Sequence, residues 1–126
     1  ISIIPTEYST KDTQEEMVFS EEILNDYREA KELVFLNFTA DWCITCKVNE
    51  RVALSSKKVT ELMSKRNIIY LEADWTRKDG VIAKKLEQFG RTGVPLYLLY
   101  PSEGEPIILP EILTEDILLR YLNELS

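Results

Sequence analysis

Short, almost continuously apolar runs alternate along the chain with amphipathic stretches. The runs 33–39 ("LVFLNFT") and 68–74 ("IIYLEAD") are typical of strands that are buried on both faces of a parallel or mixed sheet. Residues 17–19 ("MVF") predict a short edge strand. The runs 95–100 and 106–109 are separated by "PSEGE", which contains the proline and glycine of a turn and predicts a hairpin.

The stretches between and after these runs have helical spacing. We expect Ser20 to cap a helix over 21–30, a second helix to cover 47–66 with a break near Ser55, and Thr114 to cap the last helix. Asp79 opens a further helix, and Gly90 stops it. One face of the last helix carries an apolar stripe, made of Ile117, Leu118, Tyr121, Leu122 and Leu125. The element order β-α-β-α-β-α-β-β-α predicts an α/β fold, with a central mixed sheet flanked by helices on both faces.

Composition adds limits on size and partners. The 126 residues are about the length of one domain, and no apolar run approaches the ~20 residues that a membrane-spanning helix needs. The net charge is −7, and the lysines and arginines are scattered. We therefore expect no nucleic-acid partner and no binding to an anionic membrane surface, and we interpret the acidic excess as a solubility feature.

The first residues of the chain have a different character from the rest. Residues 1–16 are polar and aperiodic apart from "ISII", and the chain begins with Ile1 rather than Met. We expect these residues to form a linker or N-terminal arm and 17–126 to form the domain, as in a piece of a longer protein.

The chain contains no histidine. This absence excludes a Cys-His nucleophilic dyad, a Ser-His-Asp triad and a Cys/His zinc finger.

The chemistry of the sequence is concentrated in Cys43 and Cys46, the only two cysteines. They fall where a buried strand ends and a helix begins, and there unpaired backbone N–H groups and the helix dipole stabilise a thiolate. A zinc site would need four ligands, and no further ligands are patterned to complete one. A purely structural disulfide would close too small a loop to constrain the unfolded chain much. The spacing therefore favours a redox pair, with Cys43 at the helix start and Cys46 one turn deeper.

The segment "FTADWCITCK" resembles the Trp-Cys-x-x-Cys-Lys active site of the thioredoxin superfamily. "TGVPLYLLY" resembles the segment in which that superfamily carries a cis-proline. The pattern "ADWC..CK..E", followed by "ADWT" and "FG..GVP", is similar to the C-terminal thioredoxin-like domain of DsbD-type thiol:disulfide interchange proteins. The resemblance covers about residues 17–125 and implies a thioredoxin-like fold.

The resemblance also implies residue roles. Cys43 would be the nucleophile and Cys46 the resolving thiol, within a motif that Lys47 completes. Pro95 would be the cis-proline, and Val94 would offer its backbone to a docked substrate strand. Trp42 would be an exposed ring beside the cysteines, the alternative being a ring packed into the core.

Three further polar residues belong to this expectation. Glu50 lies one turn beyond Cys46 and is either a group that tunes proton transfer or a solvated helix acid. Asn37 replaces the strand aspartate of the family and cannot accept the proton of the resolving thiol. Asp41, next to Trp42, is another carboxylate within reach, and we expect it to be exposed.

The function implied is that of a protein-disulfide reductase. The dithiol would pass electrons from a membrane-embedded donor module to the disulfides of partner proteins. It would need no cofactor or metal beyond the redox-active Cys43–Cys46 disulfide. We expect a monomeric periplasmic domain, tethered to the inner membrane and serving pathways such as cytochrome c biogenesis. The alternatives are a free-standing periplasmic reductase or isomerase and a non-catalytic thioredoxin-fold binding module.

Overall fold

The computed structural model describes residues 17–126, and the predicted arm over 1–16 lies outside them. The strands are β1 (Met17–Val18), β2 (Val34–Thr39), β3 (Ile69–Asp74), β4 (Leu96–Tyr100) and β5 (Ile107–Ile108). The helices are α1 (Glu21–Glu29), α2 (Ile44–Asn49), α3 (Lys57–Lys65), α4 (Gly80–Gln88) and α5 (Glu115–Glu124), with a π-helix (Glu50–Leu54) directly after α2. The predicted order of elements is confirmed.

The five strands form one mixed sheet in the order β1-β3-β2-β4-β5. β3 is parallel to both β1 and β2, whereas β4 runs antiparallel to β2 and β5 antiparallel to β4. All six residues of the central strand β2 are buried. Because β2 and β3 are parallel, with Thr39 opposite Asp74, the segments that follow them emerge at the same edge of the sheet. Those segments are the cysteine segment and the loop that follows β3.

Helices cover both faces of the sheet, as predicted. On one face α1 and α4 contribute residues such as Leu24 and Leu86 to a core with Leu36 and Phe38 of β2. On the other face the π-helix, α3 and α5 pack around Phe35. The apolar stripe predicted for α5 belongs to this second core. Alternate β2 side chains therefore enter opposite cores, which explains why neither face of the strand is exposed to solvent.

The predicted helix starts have a common physical cause. The side chains of Ser20, Asp79 and Thr114 each accept a hydrogen bond from the backbone N–H three residues later, at 3.1, 2.9 and 3.1 Å. Ser56 caps α3 in the same way, with a longer bond of 3.3 Å. Gly90 follows α4 with φ of 72°, a left-handed conformation that glycine adopts without a steric penalty.

Two features differ from the expectation. The buried residues of β3 are Leu71 and Ala73, and Asp74 is exposed, so this strand is less buried than its apolar run indicated. Its outer neighbour β1 pairs with only two of its residues, which leaves much of its length near the surface. The helix after the cysteines also widens into a π-helix, in which the Ser55 N–H donates to the Glu50 carbonyl oxygen at 2.9 Å.

Within residues 17–126, none of the helices has the length and apolar character needed to cross a membrane.

Candidate redox site

The two cysteines lie at the start of α2, at the sheet edge where β2 ends. They are joined by a disulfide, with their Cα atoms 5.2 Å apart. Cys43 is the N-cap of α2, and its Sγ accepts a hydrogen bond from the Cys46 N–H at 3.1 Å. Cys43 is 7% exposed and Cys46 is completely buried. The pair is therefore asymmetric: Cys43, at the helix N-terminus, keeps a small exposed area, and Cys46 keeps none.

The local sequence produces this arrangement through a tight turn. After Thr39 the chain leaves the sheet, and the Cys43 N–H donates to the Ala40 carbonyl oxygen at 3.1 Å. Cys43 itself keeps an extended conformation, with φ of −90° and ψ of 105°, which is typical of an N-cap residue. The turn brings the sulfur of Cys43 to the first turn of α2, where backbone N–H groups lack partners within the helix.

The predicted proline directly follows a residue that packs on the cysteines. The Val94–Pro95 peptide bond is cis, as the resemblance implied, and Val94 packs on a small cluster of Ala40, Cys43 and Cys46. The guanidinium of Arg91 donates from Nη1 to the Pro95 carbonyl oxygen at 3.2 Å.

Arg91 also connects this loop to the chain before α5. The same Nη1 donates to Glu111 Oε2 at 3.1 Å. The Glu111 carbonyl oxygen in turn accepts a hydrogen bond from Asn49 Nδ2 at 2.7 Å. Asn49 belongs to α2, so a chain of polar contacts ties the Pro95 loop to the helix that carries the cysteines.

Asn49 is the most highly bonded polar side chain beneath the site. It is 1% exposed, and its Nδ2 also donates to the Tyr97 hydroxyl at 2.9 Å. Its Oδ1 accepts from the Leu113 N–H at 3.0 Å. The amide thereby joins α2 to β4 and to the segment before α5. In the sequence Asn49 has no distinguishing signal, since its partners lie 48 to 64 residues away.

Trp42 is exposed, with 48% of its surface accessible, and the alternative of a core ring is wrong. Its Nε1 donates to the Thr76 carbonyl oxygen at 3.0 Å. Its ring lies 6.1 Å from that of Trp75, and the ammonium of Lys78 lies 4.9 Å from the centre of the Trp42 ring. Trp75, Thr76 and Lys78 belong to the loop after β3.

The carboxylates predicted near the site divide into two kinds. The side chain of Asp41 is 79% exposed, as expected, whereas that of Glu50 is 30% exposed. Glu50 accepts a hydrogen bond through Oε2 from the hydroxyl of the buried Thr39, at 2.8 Å. Glu50 is therefore directed towards the sheet and is not a fully solvated helix acid.

Lys47 lies between these carboxylates. Its Nζ is 3.3 Å from Glu50 Oε1 and 3.7 Å from Asp41 Oδ1. Partial burial alone would lower the pKa of Lys47, but the attraction and hydrogen bond of Glu50, with the charges of Asp41 and Glu72, outweigh it and raise that pKa. Lys47 therefore stays charged and partly neutralises the acids around α2.

Asn37 is completely buried in the middle of β2. Its Nδ2 donates to the Tyr70 hydroxyl at 2.8 Å, and its Oδ1 finds no hydrogen-bond partner within the described part of the chain. A buried amide oxygen without a partner destabilises the folded state. An apolar residue at position 37 would avoid this loss of stability.

Sequence reasoning missed four residues that organise the site: Thr39, Asn49, Thr76 and Arg91. Each acts through a contact with a residue distant in the sequence, from 11 residues for Thr39 to 64 for Asn49. The repeated "ADW" of 40–42 and 73–75 was the one visible signal, because it marks the two segments that meet at the sheet edge. No group of three or more His, Cys, Asp or Glu side chains in the described range could hold a metal ion.

The fold and the cysteine pair define a thioredoxin-like protein. The chain belongs to the thioredoxin-like family, whose sequence model matches residues 16–102.

The relatives found by sequence include the thiol:disulfide interchange protein DsbD of Yersinia pestis, 35% identical over 74 residues, and that of Vibrio cholerae, 31% identical over 74 residues. Each match covers 59% of this chain and 12% of the relative, so the chain spans only about an eighth of these proteins.

Solved structures show the same fold. The C-terminal domain of DsbD from Neisseria meningitidis in its oxidised form superimposes with a TM-score of 0.71 at 21% identity, over 89% of this chain and 100% of that chain. A thioredoxin from Thermus thermophilus gives a TM-score of 0.69 at 15% identity, over 86% and 85% of the two chains. The thioredoxin-like fold expected from the sequence is confirmed.

Proposed function

We propose that this domain is a thiol:disulfide oxidoreductase, which passes electrons through Cys43 and Cys46 to the disulfides of partner proteins. The observation that carries the proposal is the asymmetry of the pair, in which Cys43 caps α2 and keeps 7% of its surface exposed, whereas Cys46 is completely buried. Membership of the thioredoxin-like family and the likeness to proteins named for thiol:disulfide interchange support it.

The first step is attack by the Cys43 thiolate. The Cys46 N–H that donates to Cys43 Sγ stabilises negative charge on that sulfur, together with the other N-terminal amides of α2. The thiolate attacks one sulfur of the partner's disulfide, so that a mixed disulfide forms and the partner's other sulfur leaves as a thiolate. Val94, packed beside Cys43, offers backbone for the approaching partner strand.

The second step regenerates the partner's second thiol. Cys46 loses its proton and attacks Cys43 Sγ, which closes the Cys43–Cys46 disulfide and releases the partner with two thiols. Two electrons have then moved from the domain to the partner. Burial disfavours the charged form of Cys46, so a group that takes its proton would speed this step. Glu50 is the candidate, because its carboxylate is directed towards the sheet and the amide of Asn37 cannot accept this proton.

The oxidised domain must be reduced again before the next cycle. We propose that the dithiol of a membrane-embedded module supplies the two electrons and that the domain works in the periplasm. The relatives support this, because the chain matches only a small part of proteins named DsbD. The alternatives are a free-standing periplasmic reductase or isomerase and a non-catalytic binding module.

The test combines a redox titration with trapping. The Cys43–Cys46 pair is equilibrated with glutathione and with dithiothreitol buffers, and the reduced fraction is measured by alkylation and mass spectrometry. A Cys46→Ser variant, reduced and mixed with a periplasmic extract, should accumulate mixed disulfides through Cys43 because the second step is blocked. Cys43→Ser is the matched control and should trap nothing. If Cys46→Ser forms no more mixed disulfides than Cys43→Ser, the domain is a non-catalytic module.

A further inference from the structure

The loop after β3 contacts the turn that leads into the cysteines. Asp41 and Trp42 form this turn, directly before Cys43, and Thr76 of the loop bonds to both of them. The Asp41 N–H donates to the Thr76 hydroxyl oxygen at 2.9 Å, and Trp42 Nε1 donates to the Thr76 carbonyl oxygen at 3.0 Å. One residue of a separate loop therefore holds the two residues that precede the surface cysteine.

Asp74 fixes Thr76 in the orientation that these contacts need. Asp74 Oδ1 accepts from the Thr76 N–H at 3.0 Å and also from the Thr76 hydroxyl. A threonine hydroxyl has a single proton to donate and lone pairs with which to accept. Because Asp74 takes the proton, the lone pairs of the hydroxyl are directed to the Asp41 N–H. Asp74 is the last residue of β3, so the orientation of Thr76 is fixed relative to the sheet.

The same contacts set the position of the Trp42 indole. The ring is about half exposed, and besides its bond to Thr76 it contacts two other members of the loop, Trp75 and Lys78. The backbone of the loop is itself anchored, since the Trp75 N–H donates to the Thr39 carbonyl oxygen at 2.7 Å. An exposed ring of this kind has no core around it to fix its rotamer, so the loop supplies that constraint.

We propose that Thr76 is a positioning residue, which holds Trp42 and the turn before Cys43 in the orientation that a docking protein disulfide contacts. This inference rests on the proposed oxidoreductase function. Among the described residues, Thr76 makes no hydrogen bond to either sulfur, and the charge on Cys43 depends on the amides of α2. Loss of the Thr76 hydroxyl should therefore impair docking of a protein and leave the reaction of Cys43 with a small reagent almost unchanged.

The test compares Thr76→Val, which keeps the shape and removes both side-chain hydrogen bonds, with Thr76→Ser, which keeps both. Thr60→Val is the matched control, because Thr60 lies on α3 and its hydroxyl donates to the Lys57 carbonyl oxygen within the same helix end. Three quantities are measured: turnover of insulin disulfides with dithiothreitol as reductant, the rate of alkylation of reduced Cys43 by iodoacetamide, and acrylamide quenching of tryptophan fluorescence.

Thr76→Val should raise the apparent KM for insulin by about 3- to 10-fold, the range expected for the loss of one or two hydrogen bonds, with kcat within about twofold of wild type. Its alkylation rate should stay within about twofold, its quenching should increase, and Thr76→Ser and Thr60→Val should match wild type. Asp74→Ala, at an exposed position, should also raise the KM for insulin and increase the quenching. It replaces Thr76→Val in the test if that variant does not fold.

Two results would overturn the inference: a KM and quenching equal to wild type in Thr76→Val, or insulin turnover and alkylation slowed by the same factor. If the wild-type domain does not reduce insulin, the proposed function loses its support, while the quenching of Thr76→Val still shows whether the Thr76 hydroxyl helps to hold the neighbouring pair of Trp42 and Trp75.

Discussion

Asn49 offers a direct test of the polar contacts beneath the site, through the substitution Asn49→Ala. The side chain makes three hydrogen bonds, to the Tyr97 hydroxyl, the Glu111 carbonyl oxygen and the Leu113 N–H. A buried partner left without its bond costs about 1–3 kcal/mol. Glu111 is close to the surface and water can replace its bond, so we count the other two in full. The free energy of unfolding should then fall by about 2–6 kcal/mol.

A loss of this size is large beside the ~5–15 kcal/mol that stabilises a typical domain. The midpoint of thermal unfolding should fall by about 8 °C or more. The measurement is urea unfolding of the oxidised domain followed by far-ultraviolet circular dichroism, with the slope against urea unchanged. Asn123→Ala is the control, since the Asn123 amide is exposed and donates to the Leu119 carbonyl oxygen in its own helix. It should cost less than about 0.5 kcal/mol.

The result that would refute the reasoning is a loss below about 1 kcal/mol for Asn49→Ala, or a loss equal to that of Asn123→Ala. Either would mean that water or a shift of the segment before α5 satisfies the Tyr97 hydroxyl and the Leu113 N–H. The link between α2 and the Pro95 loop would then have no energetic weight.

The remaining predictions concern reactivity and pH. Reduced Cys43 should be alkylated at least about 10-fold faster than Cys46 near neutral pH, because it is the more accessible and the better stabilised thiolate; equal labelling by mass spectrometry would contradict this. Glu50→Gln should slow release of the mixed disulfide by up to about 10²-fold in stopped-flow experiments, and Asn37→Asp should partly restore it; unchanged release would show that solvent takes the proton. Burial raises the pKa of Tyr97 to about 12, so the folded domain keeps a proton that the unfolded chain loses above about pH 10. The free energy of unfolding should therefore fall between about pH 10 and pH 12. The measurement is the urea midpoint over that range, which should vary less in Tyr97→Phe than in the wild type.

The order of elements was predictable because the signals for it are local. Apolar runs marked the strands, and Ser20, Asp79 and Thr114 marked helix starts through bonds to amides three residues away. The location of Cys43 at a strand–helix junction followed from the same signals. The cis form of the Pro95 bond came instead from the resemblance to a known family, because a proline at a strand start is compatible with either isomer.

The contacts that organise the site were not predictable, because they join distant segments. Thr76 looks like an ordinary loop residue. Its role depends on β3 lying parallel to β2, because this arrangement brings Thr76 next to Asp41 and Trp42, which precede it in the sequence by 35 and 34 positions. Asn49 looks like a polar position on an amphipathic helix. The direction of Glu50 towards Thr39 depends on how α2 lies over the sheet. None of these relations leaves a periodic trace in the sequence.

The sheet ends on both sides in a strand of only two residues within 17–126, β1 and β5. A long open strand presents a row of unpaired backbone groups, on which another chain can add a strand and begin to aggregate. Here each outer strand is two residues long, although Val18 is 78% exposed and Ile107 and Ile108 are 39% and 43% exposed. A neighbouring copy that adds a strand to the described part of β1, or to β5, would therefore gain few backbone hydrogen bonds from that strand.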